Sequence, residues 1–173
     1  IIGRLVGSEM CIRDSLTRDA LPHICNLVKN DPNDMVRHYA CVTIGDVGNT
    51  NHIDVLISTL KSRRSKGWSK YASLMAIEKI VDREQKLKEL SSLNKVLRKI
   101  LLSGLTQLNP DNRTSVNHLV MGRAIILIGK TGEKKDLDLL DRLERTGKKL
   151  WFERSTETLA KIAKNNIIQR TQL

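Results

Sequence analysis

One phrase of this chain recurs: Ala40-Cys-Val-Thr-Ile44-Gly45-Asp-Val-Gly48 returns 84 residues later as Ala124-Ile-Ile-Leu-Ile128-Gly129-Lys-Thr-Gly132. The matches are two helix-packing residues and two glycines. Between them stands a related helical phrase, Ala72-Ser-Leu-Met-Ala76-Ile77, and the chain closes on another, Ser155-Thr-Glu-Thr-Leu159-Ala160. Measured from Ala40, the offsets are 32, 84 and 115 residues. Spacings of this size mark a supersecondary unit that cannot bury its apolar face alone and stacks on further copies of itself.

Residues 1–15 are set aside, because Leu5-Val-Gly-Ser-Glu-Met-Cys-Ile-Arg-Asp-Ser15 resembles a translated sequencing adapter. The chain also opens on Ile1 rather than Met, so the expectation is a chain whose upstream repeats are missing. An end repeat without its polar cap leaves apolar surface uncovered, which predicts self-association through the N-terminal end. The repeats occupy a single domain over 16–165, with 166–173 as a tail. With one Phe, two Trp and two Tyr in the chain, the core has to be aliphatic. No apolar run reaches membrane-spanning length, so no membrane partner is expected and the localisation reads as cytoplasmic.

Apolar spacing gives eight helices in four pairs, at about 19–48, 50–81, 83–131 and 133–164. Asp19 and Asp34 are the expected caps of the first two helices. The second carries Val36, Ala40, Ile44 and Val47 as its buried stripe, and Trp68 aligns with Val36 as a core or seam residue of the fourth. In the third pair an unbroken stripe from Leu93 to Leu108 predicts the longest helix. A turn or short helix around 82–91 precedes it, and a loop from Asn109 to Arg113 follows. The last helix reads as Trp151, Ser155, Leu159 and Ile162. Gly129 and Gly132 read as helix-terminus and left-handed positions. Nothing alternates with period two, so no sheet is expected.

Asp31-Pro-Asn-Asp-Met-Val36-Arg37, followed by Ala40 and Ile44-Gly45, resembles the turn and second-helix start of the HEAT-repeat proteins and their bacterial HEAT-like relatives. The resemblance implies a right-handed α-solenoid of about four antiparallel helix hairpins, with a turn aspartate and helix arginine linking neighbouring repeats. Only the first unit keeps both groups. The aligned positions hold Arg63 and Ser69, Ser115 and Met121, Thr146 and Phe152, so a continuous ladder is not expected.

Charge is distributed unevenly. Residues 16–54 hold three basic and five acidic side chains, 55–132 fifteen and five, and 133–173 ten and seven, within a net charge of +11. The densest part, Lys61-Ser-Arg63-Arg64-Ser-Lys66-Gly67-Trp68-Ser-Lys70-Tyr71, lies in a 23-residue stretch without an acidic residue. Lys61, Arg63, Arg64, Lys66 and Lys70 are therefore candidate phosphate contacts, and a solvated loop is the competing reading. Catalytic groups are not evident. Cys25, Cys41 and the four histidines lack ligand or nucleophile spacing, and Gly129-Lys130-Thr131 is no phosphate loop, because Ala124 stands where that motif needs glycine. No cofactor, metal or enzymatic activity is expected.

The leading expectation is a non-enzymatic scaffold that binds a protein partner along the second helices, through Arg37, Lys70, Ser73, His118 and Arg123. The alternative is nucleic-acid binding through the basic turn. A lesser one follows from two HEAT-like enzyme groups, bilin lyases and DNA glycosylases. A glycosylase cleft would have to draw on Trp68, Tyr71, Trp151 and Phe152.

Overall fold

Aliphatic stripes at three- and four-residue spacing give helices throughout the described chain. The computed structural model describes residues 19–84, 90–107, 116–146 and 155–172. Its helices are α1 (19–30), α2 (Asp34–Val47), α3 (Ile53–Lys61), α4 (Gly67–Arg83), α5 (Ser91–Gln107), α6 (Val116–Thr131), α7 (Leu137–Thr146) and α8 (Thr156–Gln172). No strand occurs among the described residues. Residues 1–15, the expected loop Asn109–Arg113, and Trp151 and Phe152 lie outside them. So do residues 85–89 of the turn or short helix expected around 82–91, where α4 continues through Arg83.

The even-numbered helices form a row: α2 packs on α4, α4 on α6 and α6 on α8. The odd ones pack beside them, α3 on α4 and α5, α5 on α6 and α7, and α7 on α8. Across α2 and α4 the partners ascend together: Asp34 meets Ser69, Cys41 meets Ser73 and Asp46 meets Lys79, so the two helices run in the same direction. Across α5 and α6 the order reverses, since Asn94 meets Thr131 and Gly104 meets Met121. One aliphatic core joins these layers, from Leu21 and Val28 on α1 through Ile44, Leu56, Ile77, Leu97 and Ile128 to Ile167 on α8. Each such side chain contributes about 1.5–3 kcal/mol when fully buried.

The recurrent glycines set the spacing of the row. A Cβ on Gly45 would sit 2.8 Å from Ala76 Cα, and one on Gly129 would sit 2.7 Å from Ala163 Cα. Backbones therefore touch at both places. Seven residues beyond each alanine stands an arginine on the same helix, and both do the same work. Arg83 donates to the carbonyls of Gly45, Asp46 and Gly48, and Arg170 donates to those of Gly129, Lys130 and Gly132. Terminal carbonyls of a helix have no intrahelical donor, and a cation there also meets the negative end of the helix dipole.

Several expectations are corrected by this packing. Asn33, not Asp34, caps α2, accepting from the Met35 N–H at 2.9 Å, and Asp19 is already helical. Gly48 is extended (φ −74°, ψ 175°) and Gly132 shows no left-handed φ, while Gly129 lies inside α6. The inner face of α2 carries Arg37, Ala40, Cys41, Ile44 and Gly45, which leaves Val47 exposed and Val36 half-buried. On α8 the register moves by about one turn: Ala163 must face Gly129, so Leu159, Ala160, Ala163 and Ile167 turn inward and Ile162 outward. No tail begins at 166, because α8 continues to Gln172. Within the described residues α5 spans 17 residues, as do α4 and α8, and the expected end of its stripe at Leu108 lies outside them.

Alanine favours a helix over glycine by about 1 kcal/mol, whereas overpacking a filled contact costs about 1–3 kcal/mol. Contact should win, so Gly45→Ala and Gly129→Ala are each expected to lower stability by about 1–2 kcal/mol in urea unfolding. A raised unfolding midpoint in either variant would show that the helices are not held by backbone contact there.

Candidate functional site

Two connections lie side by side, the turn 31–33 before α2 and the turn 62–66 before α4. In the first, Asp31 accepts from the Asn33 N–H at 2.8 Å, and Asn33 then caps α2. This leaves the Asp34 carboxylate free to reach across to the next unit, where it accepts from the Lys66 N–H at 2.9 Å and the Ser69 hydroxyl at 2.7 Å. Arg37 stands beneath it, 2.7 Å from Asp34, and donates to the carbonyls of Asp31 at 2.5 Å and Arg64 at 2.9 Å. Burial works to raise the Asp34 carboxyl, but the bonds from Lys66, Ser69 and Arg37 outweigh it and hold the group below its ordinary range.

The backbone of the basic turn is thus tied down at Arg64 and Lys66 while its side chains face water. Lys61, Arg63, Arg64 and Lys66 are exposed and Lys70 is half-buried. None has a carboxylate within 4.0 Å among the described residues, whereas Lys79, Arg98, Arg123, Lys130, Lys161 and Lys164 are all paired. Five cations without a carboxylate partner on one short segment make a concentrated positive field.

Aromatic side chains border it. Trp68 is 45% exposed rather than packed in the seam, because its neighbour Ser69 is the residue of the first turn of α4 that faces inward. Tyr39 on α2 is 63% exposed. His38 lies between them, with ring centroids 5.1 Å from Tyr39 and 6.3 Å from Trp68, both nearly perpendicular. Its Nδ1 is 3.1 Å from the Trp68 carbonyl, which can only accept, so Nδ1 carries the proton. Trp68 meets Tyr71 edge-on at 6.4 Å, and the guanidinium of Arg123 lies 5.8 Å from the Tyr71 ring centre.

The residues assigned to a protein-binding groove are not gathered on a surface. Arg37 is 4% exposed, Ser73 is fully buried and donates to the Leu56 carbonyl at 3.1 Å, and His118 is 3% exposed. The phase of α2 and α4 explains the first two: each points toward the neighbouring helix rather than away from the row. Arg123 is half-buried and bound to Glu78 at 2.8 Å as well as to Tyr71. Lys70 alone of the five joins the basic turn. Lys130 and Thr131 are committed to the fold, Lys130 to Asp82 at 2.6 Å and Thr131 to Asn94 at 2.7 Å. Of the four residues named for an aromatic-lined cleft, Tyr71 is occupied by Arg123, Trp68 is exposed, and Trp151 and Phe152 lie outside the described residues. Among the described residues no three His, Cys, Asp or Glu side chains are grouped to hold a metal, and no helix is long and apolar enough to cross a membrane.

Tyr39 and His38 escaped the sequence reading. Once Arg37 and Cys41 are known to face inward, their position on the helix wheel turns them outward, but the apolar pattern alone favoured Val36 as the inward residue.

A carboxyl whose ionised form is bonded only in the folded protein stabilises it above the unfolded pKa of about 3.9 and ceases to do so as pH falls through its lower folded value. Both Asp34 and Asp136 are depressed in this way. At Asp136, burial is outweighed by the bonds from Arg98 and the Glu133 N–H. Stability should therefore decline as pH drops below about 4, with a shallower decline in Asp34→Asn. Identical acid profiles for the two proteins, followed by thermal melts, would rule out a bonded Asp34 carboxylate.

No known family model, curated protein or solved structure matches this chain.

Proposed function

We propose that this protein is a non-enzymatic, HEAT-like right-handed α-solenoid, built from about four antiparallel hairpins, that binds nucleic acid through the basic turn before α4. One observation carries the reading: Lys61, Arg63, Arg64, Lys66 and Lys70 have no acidic partner among the described residues, on a turn whose backbone Asp34 and Arg37 hold in place. Unpaired cations on a fixed backbone lose little freedom when they meet phosphates. Arginine adds a planar fork that matches two phosphate oxygens at once. The contact order of the even helices supports the solenoid, since units in that architecture repeat by translation along one axis.

The protein-scaffold expectation shares this architecture but loses Arg37, Ser73 and His118 to burial. An acidic protein remains the main competitor for the same cations. Counterion release separates the two, because polyphosphate binding weakens linearly in logarithmic salt by about 0.9 per duplex phosphate and about 0.7 per single-strand phosphate.

Fluorescence anisotropy with a short labelled oligonucleotide, as single strand and as duplex, tests the reading. Affinity should fall steeply with salt for at least one form, and Arg63→Gln with Arg64→Gln should make that slope shallower by about 1–2. Absence of binding to both forms at low salt would remove the proposal. Tight, salt-sensitive binding unchanged in the double variant would place the site elsewhere.

A further inference from the structure

The basic turn alone does not distinguish a duplex from a single strand. The aromatic residues beside it do. Tyr39 and Trp68 are large rings left in water at 63% and 45% exposure, on adjacent helices, with His38 filling the space between them. The His38 bond to the Trp68 carbonyl fixes the spacing of α2 and α4 at this point. Each ring contact in the group is edge-on, at 79° to 87°, so the rings do not stack on one another face to face. Tyr71, the third aromatic of the group, is already covered by Arg123. Tyr39 and Trp68 are thus the two with open surface.

Their setting is cationic. Lys66 and Lys70 stand two residues to either side of Trp68 in the chain, and Arg63 and Arg64 lie on the turn leading to it. Alternation of aromatic faces and phosphate-binding cations is what an unpaired strand requires, since its bases can leave their own stack and rest on a ring while its phosphates follow the charges. A duplex keeps its bases stacked inside and offers these rings base edges, sugar and phosphate but no open base face. Resting on the nucleic-acid reading above, we infer that the ligand is a single strand, with bases stacked on Tyr39 and Trp68 and phosphates on Arg63, Arg64, Lys66 and Lys70.

Leucine keeps apolar bulk but has no planar face, and both positions are exposed enough to accept it. The test compares the intact protein with Trp68→Leu, Tyr39→Leu and the double variant. Each is titrated with a thymidine oligonucleotide, a duplex of equal length and phosphatidylserine vesicles, at one salt concentration. The intact protein is expected to bind the single strand at least about tenfold more tightly than the duplex, and each leucine to weaken single-strand binding about tenfold. Duplex affinity should not change. Single-strand binding unaffected by both leucines, or equal loss on both oligonucleotides, overturns the stacking inference while leaving electrostatic binding of nucleic acid intact. Binding to vesicles with none to either oligonucleotide overturns both.

Discussion

Backbone contact at two joints of the row, α2 with α4 and α6 with α8, is the constraint from which the rest follows. With Gly45 against Ala76, α2 and α4 approach more closely than two helices carrying larger side chains at the crossing could. The whole edge between them depends on that distance. At one end Asp34 reaches Lys66 and Ser69, and His38 reaches Trp68; in the middle Cys41 meets Ser73; at the other end Arg83 reaches the last carbonyls of α2. The same geometry returns where Gly129 meets Ala163 and Arg170 covers the end of α6. Between α4 and α6 the link differs: Gly67 packs against the Val116 side chain, and Glu78 pairs with Arg123 and Lys130.

The proposed function is a by-product of how the joint between α2 and α4 is closed. Asp34 and Arg37 are used up internally, joining one turn to the next, and the turn they hold carries three exposed cations, Arg63, Arg64 and Lys66, and leads into an exposed tryptophan. Their neutralisation of one another also matters: the Asp34 charge is answered by Arg37 at 2.7 Å, so it takes little from the field of Arg63, Arg64 and Lys66. Arg37, expected on a partner-binding groove, is part of the fastening, and the proposed binding surface is what it fastens.

Helix number and class were legible because apolar spacing is a local property: Ile53, Leu56, Ile57 and Leu60 can bury together on no other element. The importance of Gly45 and Gly129 was visible as repetition, although not the reason, since a close approach depends on the partner helix and only Ala76 and Ala163 reveal it. Facing was less legible. Arg37 is longer and more polar than Val36, yet it turns inward because carbonyls and a carboxylate await it, and no count of apolar residues can express that. Ala163 and Arg170 were likewise missed by aligning Ser155 with Ala72, which misplaced α8 by about a turn. A search for alanine and arginine seven residues apart, Ala76 with Arg83 and Ala163 with Arg170, would have found the register. The basic turn was found by charge alone, whereas its aromatic border needed the helix phases first.

Amide hydrogen exchange, read along the chain with and without a bound thymidine oligonucleotide, tests the central claim most directly, because it locates the ligand and the fastening together. In the free protein the Lys66 amide should already exchange slowly for a surface turn, held by Asp34. With the oligonucleotide bound, protection should rise across 36–39 and 61–71 and stay unchanged in α7 and α8. Fast exchange at Lys66 in the free protein, or protection that appears on α7 and α8 and not at the basic turn, would contradict the account.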